Sequence, residues 1–158
     1  MPDREGSPQD GHGARECSIA GALGVLGGRW TLLVLRELVF GVHRFDGIAT
    51  ATGAPRDMLT RRLRSLEAAG VVERRLYQDR PPRYEYHLTD VGRDAGEVLL
   101  ALMAFGDRRV SPTPPVRWHH GDPQHPHTLD PVLVCRHCGE PATPTLHSPT
   151  GPGAPHTD

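Results

Sequence analysis

Apolar residues recur three or four positions apart in several stretches of this chain, which is the spacing of helices that bury one face. The stretch CSIAGALGVLGG, which begins at residue 17, predicts a first helix with Ser18 as its N-cap and the paired glycines as its stop. Its apolar face is Ile19, Leu23 and Leu26. RWTLLVLRELVFG predicts a short apolar second helix and RFDGIATATG a weaker third one, and each ends at a glycine.

A fourth helix is predicted from Pro55 to about Ala69, because proline suits the first helical position and Gly70 provides a stop. At about 100° per residue, three leucines fall within about 60° of one another and form the predicted buried stripe. These are Leu59, Leu63 and Leu66. The outward arc carries Arg56, Thr60, Arg61 and Arg64.

Two β-rich runs, VVERRLY and RYEYHL, follow this helix and are joined by QDRPP. Pro81 and Pro82 cannot donate to a strand ladder, so both are predicted at the tip of a hairpin. Thr89 or Asp90 then caps a last helix. Its apolar stripe is Val91, Ala95, Val98, Leu102 and Phe105. The predicted fold class is mainly α with a small β-ribbon (α+β).

Composition divides the chain into three parts. Residues 1–15 are polar and rich in glycine and proline, which predicts a disordered N-terminal arm. Residues 16–110 carry the periodic segments and form the predicted folded domain. Residues 111–158 hold 11 of the 16 prolines and 7 of the 10 histidines, so no long helix is expected in this tail.

The positive charge of the chain is local. All 18 basic residues are arginine and the formal net charge is −1, so the whole molecule is not basic. From residue 54 to residue 83, however, eight arginines face four acidic residues. A local excess of this kind is typical of a surface that binds nucleic acid.

Two helices joined by a short turn, the second with arginines outward, are typical of a helix-turn-helix, whose second helix fits the major groove. Arginine there forks to guanine or neutralises phosphate, and Thr60 can bond a phosphate or touch a thymine methyl. The hairpin adds Arg80 and Arg83 at its tip, which predicts a wing against the DNA backbone or minor groove. An arginine-rich face alone is equally consistent with a solvated helix; the adjoining basic hairpin favours DNA.

CSIAGALGVLGGRWTLLVLRELVFGVHRFDGI, LTRRLRSLEAAGVVERR and PPRYEYHLTDVG resemble the HxlR-type winged helix-turn-helix transcriptional regulators, which are related to the MarR group. The resemblance covers residues 17–106. It implies a homodimer that binds an inverted-repeat operator in double-stranded DNA, as a repressor rather than an activator, and it implies no catalysis. It also implies dimerisation through the N-terminal and last helices, here residues 19–26 and 90–109.

Two further positions take their meaning from this resemblance. Family members usually carry serine or threonine where this chain has Ala54, so a helix cap worth about 1 kcal/mol and a phosphate hydroxyl are expected to be missing. Cys17 stands at the start of the first helix, where some members use a cysteine to sense oxidants. A helix N-terminus favours thiolate. A small residue that packs at the dimer seam is the alternative reading of Cys17.

The tail contains VLVCRHCGEP, in which Cys135 and Cys138 resemble one knuckle of a zinc ribbon. A structural zinc site needs four ligands. The spacing permits a zinc site completed by two of four histidines: His119 or His120, and His125 or His127. A histidine-rich disordered tail, or a redox pair of the two cysteines, remains open. The core domain is expected to need no cofactor.

Other classes of protein are not indicated. No segment reaches the length of a membrane span, and the N-terminus has neither the basic start nor the apolar core of a signal peptide, so a cytoplasmic location is expected. No grouping of nucleophile, base and acid predicts an enzyme. The effector stays open among a thiol oxidant, a metal and a small molecule. A winged-helix module for protein–protein contact, or a metal or redox sensor without sequence-specific DNA binding, is the alternative function.

Overall fold

The computed structural model describes residues 17–111, 113 and 116–142. The helices are α1 (Ser18–Leu26), α2 (Arg29–Val39), α3 (Phe45–Thr52), α4 (Arg56–Ala68) and α5 (Asp90–Arg109). The strands are β1 (Val72–Asp79), β2 (Pro82–Leu88), β3 (His119–His120) and β4 (His127–Thr128). The predicted order of four helices, two strands and a helix is confirmed, and so is the α+β class. The predicted disordered arm, residues 1–15, lies outside the described residues.

The core forms around α2, which packs against α3, α4, α5 and β2. Its members are almost all aliphatic: Val34, Leu35, Leu38, Ile48, Ala54, Leu59, Leu63, Leu66, Val71, Val72 and Ala95. Leu59, Leu63 and Leu66 are each at most 1% exposed, which confirms the predicted stripe of α4. Because this stripe fixes the rotation of α4 about its axis, the opposite face of the helix must point to solvent.

The helix termini differ from the prediction at two places. Cys17, not Ser18, is the N-cap of α1, and its Sγ accepts a hydrogen bond from the Ala20 amide at 3.3 Å. A thiol at this position reaches the free amide as a hydroxyl would. Pro55 precedes α4 as its N-cap rather than starting it, since its carbonyl accepts the Leu59 amide at 2.9 Å. Ala54, the residue before Pro55, is buried and is not the N-cap of α4.

β1 and β2 form an antiparallel hairpin that runs from the Val72–Leu88 pair to the Asp79–Pro82 pair, with an irregularity between Leu76 and Gln78. The prediction that both prolines lie in the tip is wrong for Pro82, which is the first residue of β2. Proline is tolerated at that end because no ladder amide is required there. The turn itself is Arg80-Pro81, joined by a cis peptide bond.

The N-terminus of α5 packs against the residues that follow α4. Thr89 caps it as predicted: the hydroxyl accepts the Gly92 amide at 3.1 Å and donates to the Gly70 carbonyl at 2.6 Å. Gly92 sits so close to the chain that an added Cβ would lie 2.1 Å from the Val71 carbonyl oxygen. The start of α5, which the resemblance assigns to the dimer contact, is therefore fixed to Gly70 and Val71, the residues that follow α4.

Most of the apolar stripe of α5 is not covered by the body of the protein. Ala95 is buried, but Val91, Val98, Leu102 and Phe105 are 60%, 42%, 46% and 59% exposed. On α1, Ile19 and Leu23 are 71% and 60% exposed. Apart from Ala95, the stripe therefore does not belong to the core of a single chain.

The described part of the tail returns to the body. Trp118 packs its ring against Phe40 with 5.3 Å between centroids, and Arg108 lies 3.9 Å from Asp130. Among the described residues, no single helix is long and apolar enough to cross a membrane. α1 and α2 meet that requirement only as a pair, and they are bent by 74° where they join.

Candidate nucleic-acid interface

The outward face of α4 is centred on Asp57, Arg61 and Arg64, all exposed and all on the side opposite the buried leucines. Thr60 is half-buried at the edge of this face, and its hydroxyl donates to the Arg56 carbonyl at 2.8 Å. Since the hydroxyl proton is used within the helix, Thr60 offers its methyl group and one oxygen lone pair to a partner.

Arg56 lies at the border between α4 and α3. Its Nη1 donates to Asp46 Oδ1 at 2.8 Å, and its guanidinium lies 4.8 Å from the centre of the Phe45 ring. The pair is solvent-exposed, so it adds little to stability. Its effect is to hold the guanidinium over the first turn of α3, beside the N-terminal end of α4.

Arg61 has a carboxylate partner on its own helix. Its Nη2 donates to Asp57 Oδ2 at 3.1 Å, one turn towards the N-terminus. This bond uses one edge of the guanidinium and leaves the other donors free. Arg64 has no carboxylate partner within the described part of the chain.

The wing presents two further arginines. Arg80 lies in the turn, where its carbonyl accepts Gln78 Nε2 at 3.0 Å, and Arg83 follows at the start of β2. Both are exposed, and neither forms an ion pair with any residue that the structure describes. Arg83 and Arg56 line the same cleft of about 840 Å³ between α3 and the wing. The structure therefore brings one predicted arginine of α4, Arg56, and one of the wing, Arg83, to the same cleft.

The base of the wing is fixed to the turn between α2 and α3. The Tyr86 amide donates to the His43 carbonyl at 2.9 Å, and Arg44 Nε donates to Glu85 Oε1 at 3.0 Å. This hydrogen bond from Arg44 is the main cause that lowers the pKa of Glu85. His43 and His87 stack with 4.1 Å between ring centroids. These contacts hold the base of the wing in a defined position against the turn between α2 and α3.

Two acidic residues of this surface, Asp46 and Asp57, were missed by the sequence interpretation, which considered only cations and Thr60. Asp57 could have been found, because an acid four residues before an arginine on a helix forms an ion pair. Asp46 could not be found in this way, since its contact with Arg56 depends on the packing of α3 against α4.

Cys17 is an exposed free thiol at the N-terminus of α1. It is adjacent to the uncovered face of α1, which contains Ile19 and Leu23. A change at this thiol therefore acts at the border of an apolar surface and on the cap of the helix that carries it.

The tail residues predicted to bind zinc form two separate units. His119 pairs with Thr128 and His120 with His127 across β3 and β4, and the rings of His120 and His127 lie 5.6 Å apart. His125 lies in the loop between them, with its Nδ1 4.0 Å from Asp122.

Cys135 and Cys138 occupy a separate tight turn. The Gly139 amide donates to the Cys135 carbonyl at 2.7 Å, and the Cys135 amide donates to the Glu140 carbonyl at 2.8 Å. Hydrogen bonds from the backbone amides of Cys138 and His137 lower the pKa of the Cys135 thiol. In residues 17–111, 113 and 116–142, no three His, Cys, Asp or Glu side chains come close enough to hold a metal ion. The four-ligand site stays a prediction.

In the part of the chain that the structure describes, five helices with a two-stranded hairpin after the fourth define a winged-helix protein. The sequence profile of the HxlR-like helix-turn-helix family matches residues 25–114. An HTH-type transcriptional regulator of Mycobacterium tuberculosis is 43% identical over 140 residues, which are 86% of this chain and 87% of the relative. The chain therefore belongs to the HxlR-like helix-turn-helix family, whose members are transcriptional regulators and not enzymes.

Solved structures agree with this assignment. PA1607, a candidate transcription factor, is similar with a TM-score of 0.69 and 27% identity, over 82% of this chain and 90% of that one. The redox regulator HypR in its oxidized form is similar with a TM-score of 0.56 and 32% identity, over 60% of this chain and 99% of that one. Because the match spans nearly all of HypR but only 60% of this chain, most of the described tail has no counterpart in HypR.

Proposed function

We propose that this protein binds an inverted-repeat operator in double-stranded DNA as a homodimer and represses the adjacent gene. The observation that carries the proposal is the common surface formed by α4 and the wing. Arg61 and Arg64 are exposed on α4, Arg56 lies at the border of α4 with α3, and Arg83 of the wing lines the same cleft as Arg56. A helix enters the major groove while the wing arginines Arg80 and Arg83 follow the adjacent backbone.

The uncovered faces of α1 and α5 support the homodimer. A monomer would leave four large apolar side chains of α5 and two of α1 in water, which is costly for so small a domain. A two-fold axis through this surface buries them against a second copy. The two α4 helices then face one side of a duplex, and half-sites about one helical turn apart are expected.

Selection of bound duplexes from a random pool tests the proposal directly. The expected result is a site with two-fold symmetry. Arg61→Ala/Arg64→Ala and Arg80→Ala/Arg83→Ala should each weaken binding, whereas Arg117→Ala, at an exposed position outside α4, the wing and α5, serves as the matched control and should not. Normal binding by both double variants would overturn the assignment of this surface.

Salt dependence separates the roles of the arginines. Each arginine that neutralises a phosphate steepens the plot of log affinity against log salt by about 0.9. Because the proposed homodimer carries four wing arginines, Arg80→Ala/Arg83→Ala should flatten this slope by about 3.6 and leave base preference unchanged. If retention on duplex DNA does not depend on salt at all, the alternative of a protein–protein module is favoured instead.

We further propose that Cys17 makes operator binding sensitive to thiol oxidants. HypR, one of the similar structures, is a redox regulator. The Cys17 thiol also caps α1 through the Ala20 amide, so oxidation removes this cap at the edge of the proposed dimer surface. Diamide should alter the operator affinity of the wild type but not that of Cys17→Ser. An identical response of the two proteins rules out Cys17 as the sensor.

For the tail, we propose that Cys135 and Cys138 with two of the predicted histidines hold a zinc ion. The amide hydrogen bonds that lower the pKa of Cys135 favour the thiolate, which is the form that binds zinc. Because the histidine hairpin and the cysteine turn are separate units here, binding requires them to approach each other. Metal analysis of purified protein should find one zinc per chain in the wild type and none in Cys135→Ser.

A further inference from the structure

The centre of the α4 surface is occupied by an acid–base pair rather than by arginine alone. At about 100° per residue, the direction opposite the three buried leucines falls between Asp57 and Arg61. Arg64 lies farther to one side of this line, and Arg56 lies at the border with α3. When α4 enters a groove, Asp57 and Arg61 are therefore the side chains that point most directly at the base edges.

An acid at this place is unfavourable for binding phosphate, since it repels the DNA backbone. Its side chain is 67% exposed, so the ion pair with Arg61 adds little to the stability of the protein. The bond at 3.1 Å does, however, fix the direction of the Arg61 guanidinium. Side chains on a helix lean towards its N-terminus, which is the end that contacts bases in helix-turn-helix proteins.

We propose that Asp57 and Arg61 together read one G·C base pair in each operator half-site. This inference rests on the proposed DNA-binding function. Arg61 donates to guanine O6 and N7 with the guanidinium edge that Asp57 leaves free. Asp57 orients that guanidinium and accepts a hydrogen bond from the N4 amino group of the paired cytosine, the contact that carboxylates make in the major groove.

The remaining arginines act differently. Arg64, Arg80 and Arg83 have no carboxylate partner in the described part of the chain, so nothing fixes their direction. Such side chains suit phosphate, which accepts from many directions. Arg61 thus selects sequence, whereas these three arginines supply affinity, and Asp57 is the specificity-determining residue that sets Arg61 apart from them. Arg56, which is held by Asp46 at the border with α3, belongs to neither group.

The test compares the operators selected by the wild type, Asp57→Ala, Asp57→Asn and Arg61→Ala, with Arg64→Ala as the matched control. The wild type should prefer G·C at one position of each half-site by a factor of about 5 to 100, the range of a good bidentate contact. Asp57→Ala and Arg61→Ala should both lose this preference at the same position. Asp57→Ala should also bind random duplex more tightly, because a negative charge is removed.

Arg64→Ala should weaken binding to every sequence and keep the G·C preference. If Asp57→Ala and Asp57→Asn lower thermal stability but retain the preference, Asp57 is only a helix-stabilising residue and the inference is wrong. If Arg61→Ala alone loses the preference, Arg61 reads the base without Asp57 and the inference is again wrong. If the wild type selects no site, the proposed DNA-binding function fails, which is a different result from either of these.

Discussion

The uncovered stripe of α5 allows the strength of the proposed dimer to be worked out. Phe105 and Leu102 are 59% and 46% exposed, which together amount to about one whole apolar side chain per protomer. Full burial of a leucine or phenylalanine contributes about 1.5–3 kcal/mol. Because the proposed dimer is two-fold symmetric, each substitution removes a buried side chain from both protomers. Leu102→Ala/Phe105→Ala should therefore weaken the dimer by about 3–6 kcal/mol, or roughly a hundred- to ten-thousand-fold in the dissociation constant.

Sedimentation equilibrium over a range of protein concentrations measures this constant directly. Leu76→Ala is the matched control, because Leu76 is a similarly exposed leucine, at 51%, but lies on the wing. It should leave the dimer unchanged. The double variant should also unfold at nearly the temperature of the wild type at high dilution, since neither residue belongs to the core. A wild type that stays monomeric, or a double variant with an unchanged constant, would refute the proposed interface.

Three further predictions concern stability and reactivity. Gly92→Ala should destabilise the protein by about 1–3 kcal/mol or more in urea unfolding, because its Cβ would lie 2.1 Å from the Val71 carbonyl oxygen. Gly96→Ala, on the same helix with open space around it, should instead stabilise by about 0.5–1 kcal/mol, and equal effects of the two would contradict this packing. Thr89→Ala should cost about 1 kcal/mol through loss of the α5 cap, while Thr50→Ala on the exposed side of α3 should cost little. After metal is removed with a chelator, Cys135 should react with iodoacetamide at neutral pH faster than an ordinary cysteine, because its lowered pKa enriches the thiolate, and a rate typical of a free thiol would contradict that shift.

Most of the fold could be predicted from local pattern. The leucines of α4 repeat at helical spacing, a glycine lies within two residues of the end of each of the first four helices, and Thr89 precedes α5 as a capping residue should. What periodicity could not decide was what covers the stripe of α5. Ala95 and Phe105 belong to one pattern, yet the first is buried and the second is exposed. The sequence pattern shows which face of a helix is apolar. Only the packing of α5 against the core shows which residues of that face are buried.

Exposed residues of the candidate site that lie on one helix could be predicted from the sequence. Contacts between residues of different helices could not. Arg61 and Arg64 follow from the period of α4 alone. The pairing of Arg56 with Asp46 requires the angle between α3 and α4, and this angle is set by the core and not by either helix. The proposed zinc ligands show the same limit. Their spacing along the sequence permits a site, but the site forms only when the histidine hairpin and the cysteine turn approach each other.

The junction between α4 and α5 provides a direct mechanical link between the proposed dimer surface and the DNA surface. The Thr89 hydroxyl donates to the carbonyl of Gly70, the residue after the α4 terminus, and Gly92 packs on the carbonyl of Val71. These contacts are short and leave no room for an intervening side chain. In the proposed dimer, a change in how two copies of α5 pack would therefore be transmitted through these contacts to the C-terminal end of α4. With two half-sites read together, as proposed above, a small rotation of each α4 helix would change their spacing on the duplex, so dimer packing would affect operator affinity without a change in any DNA-binding residue.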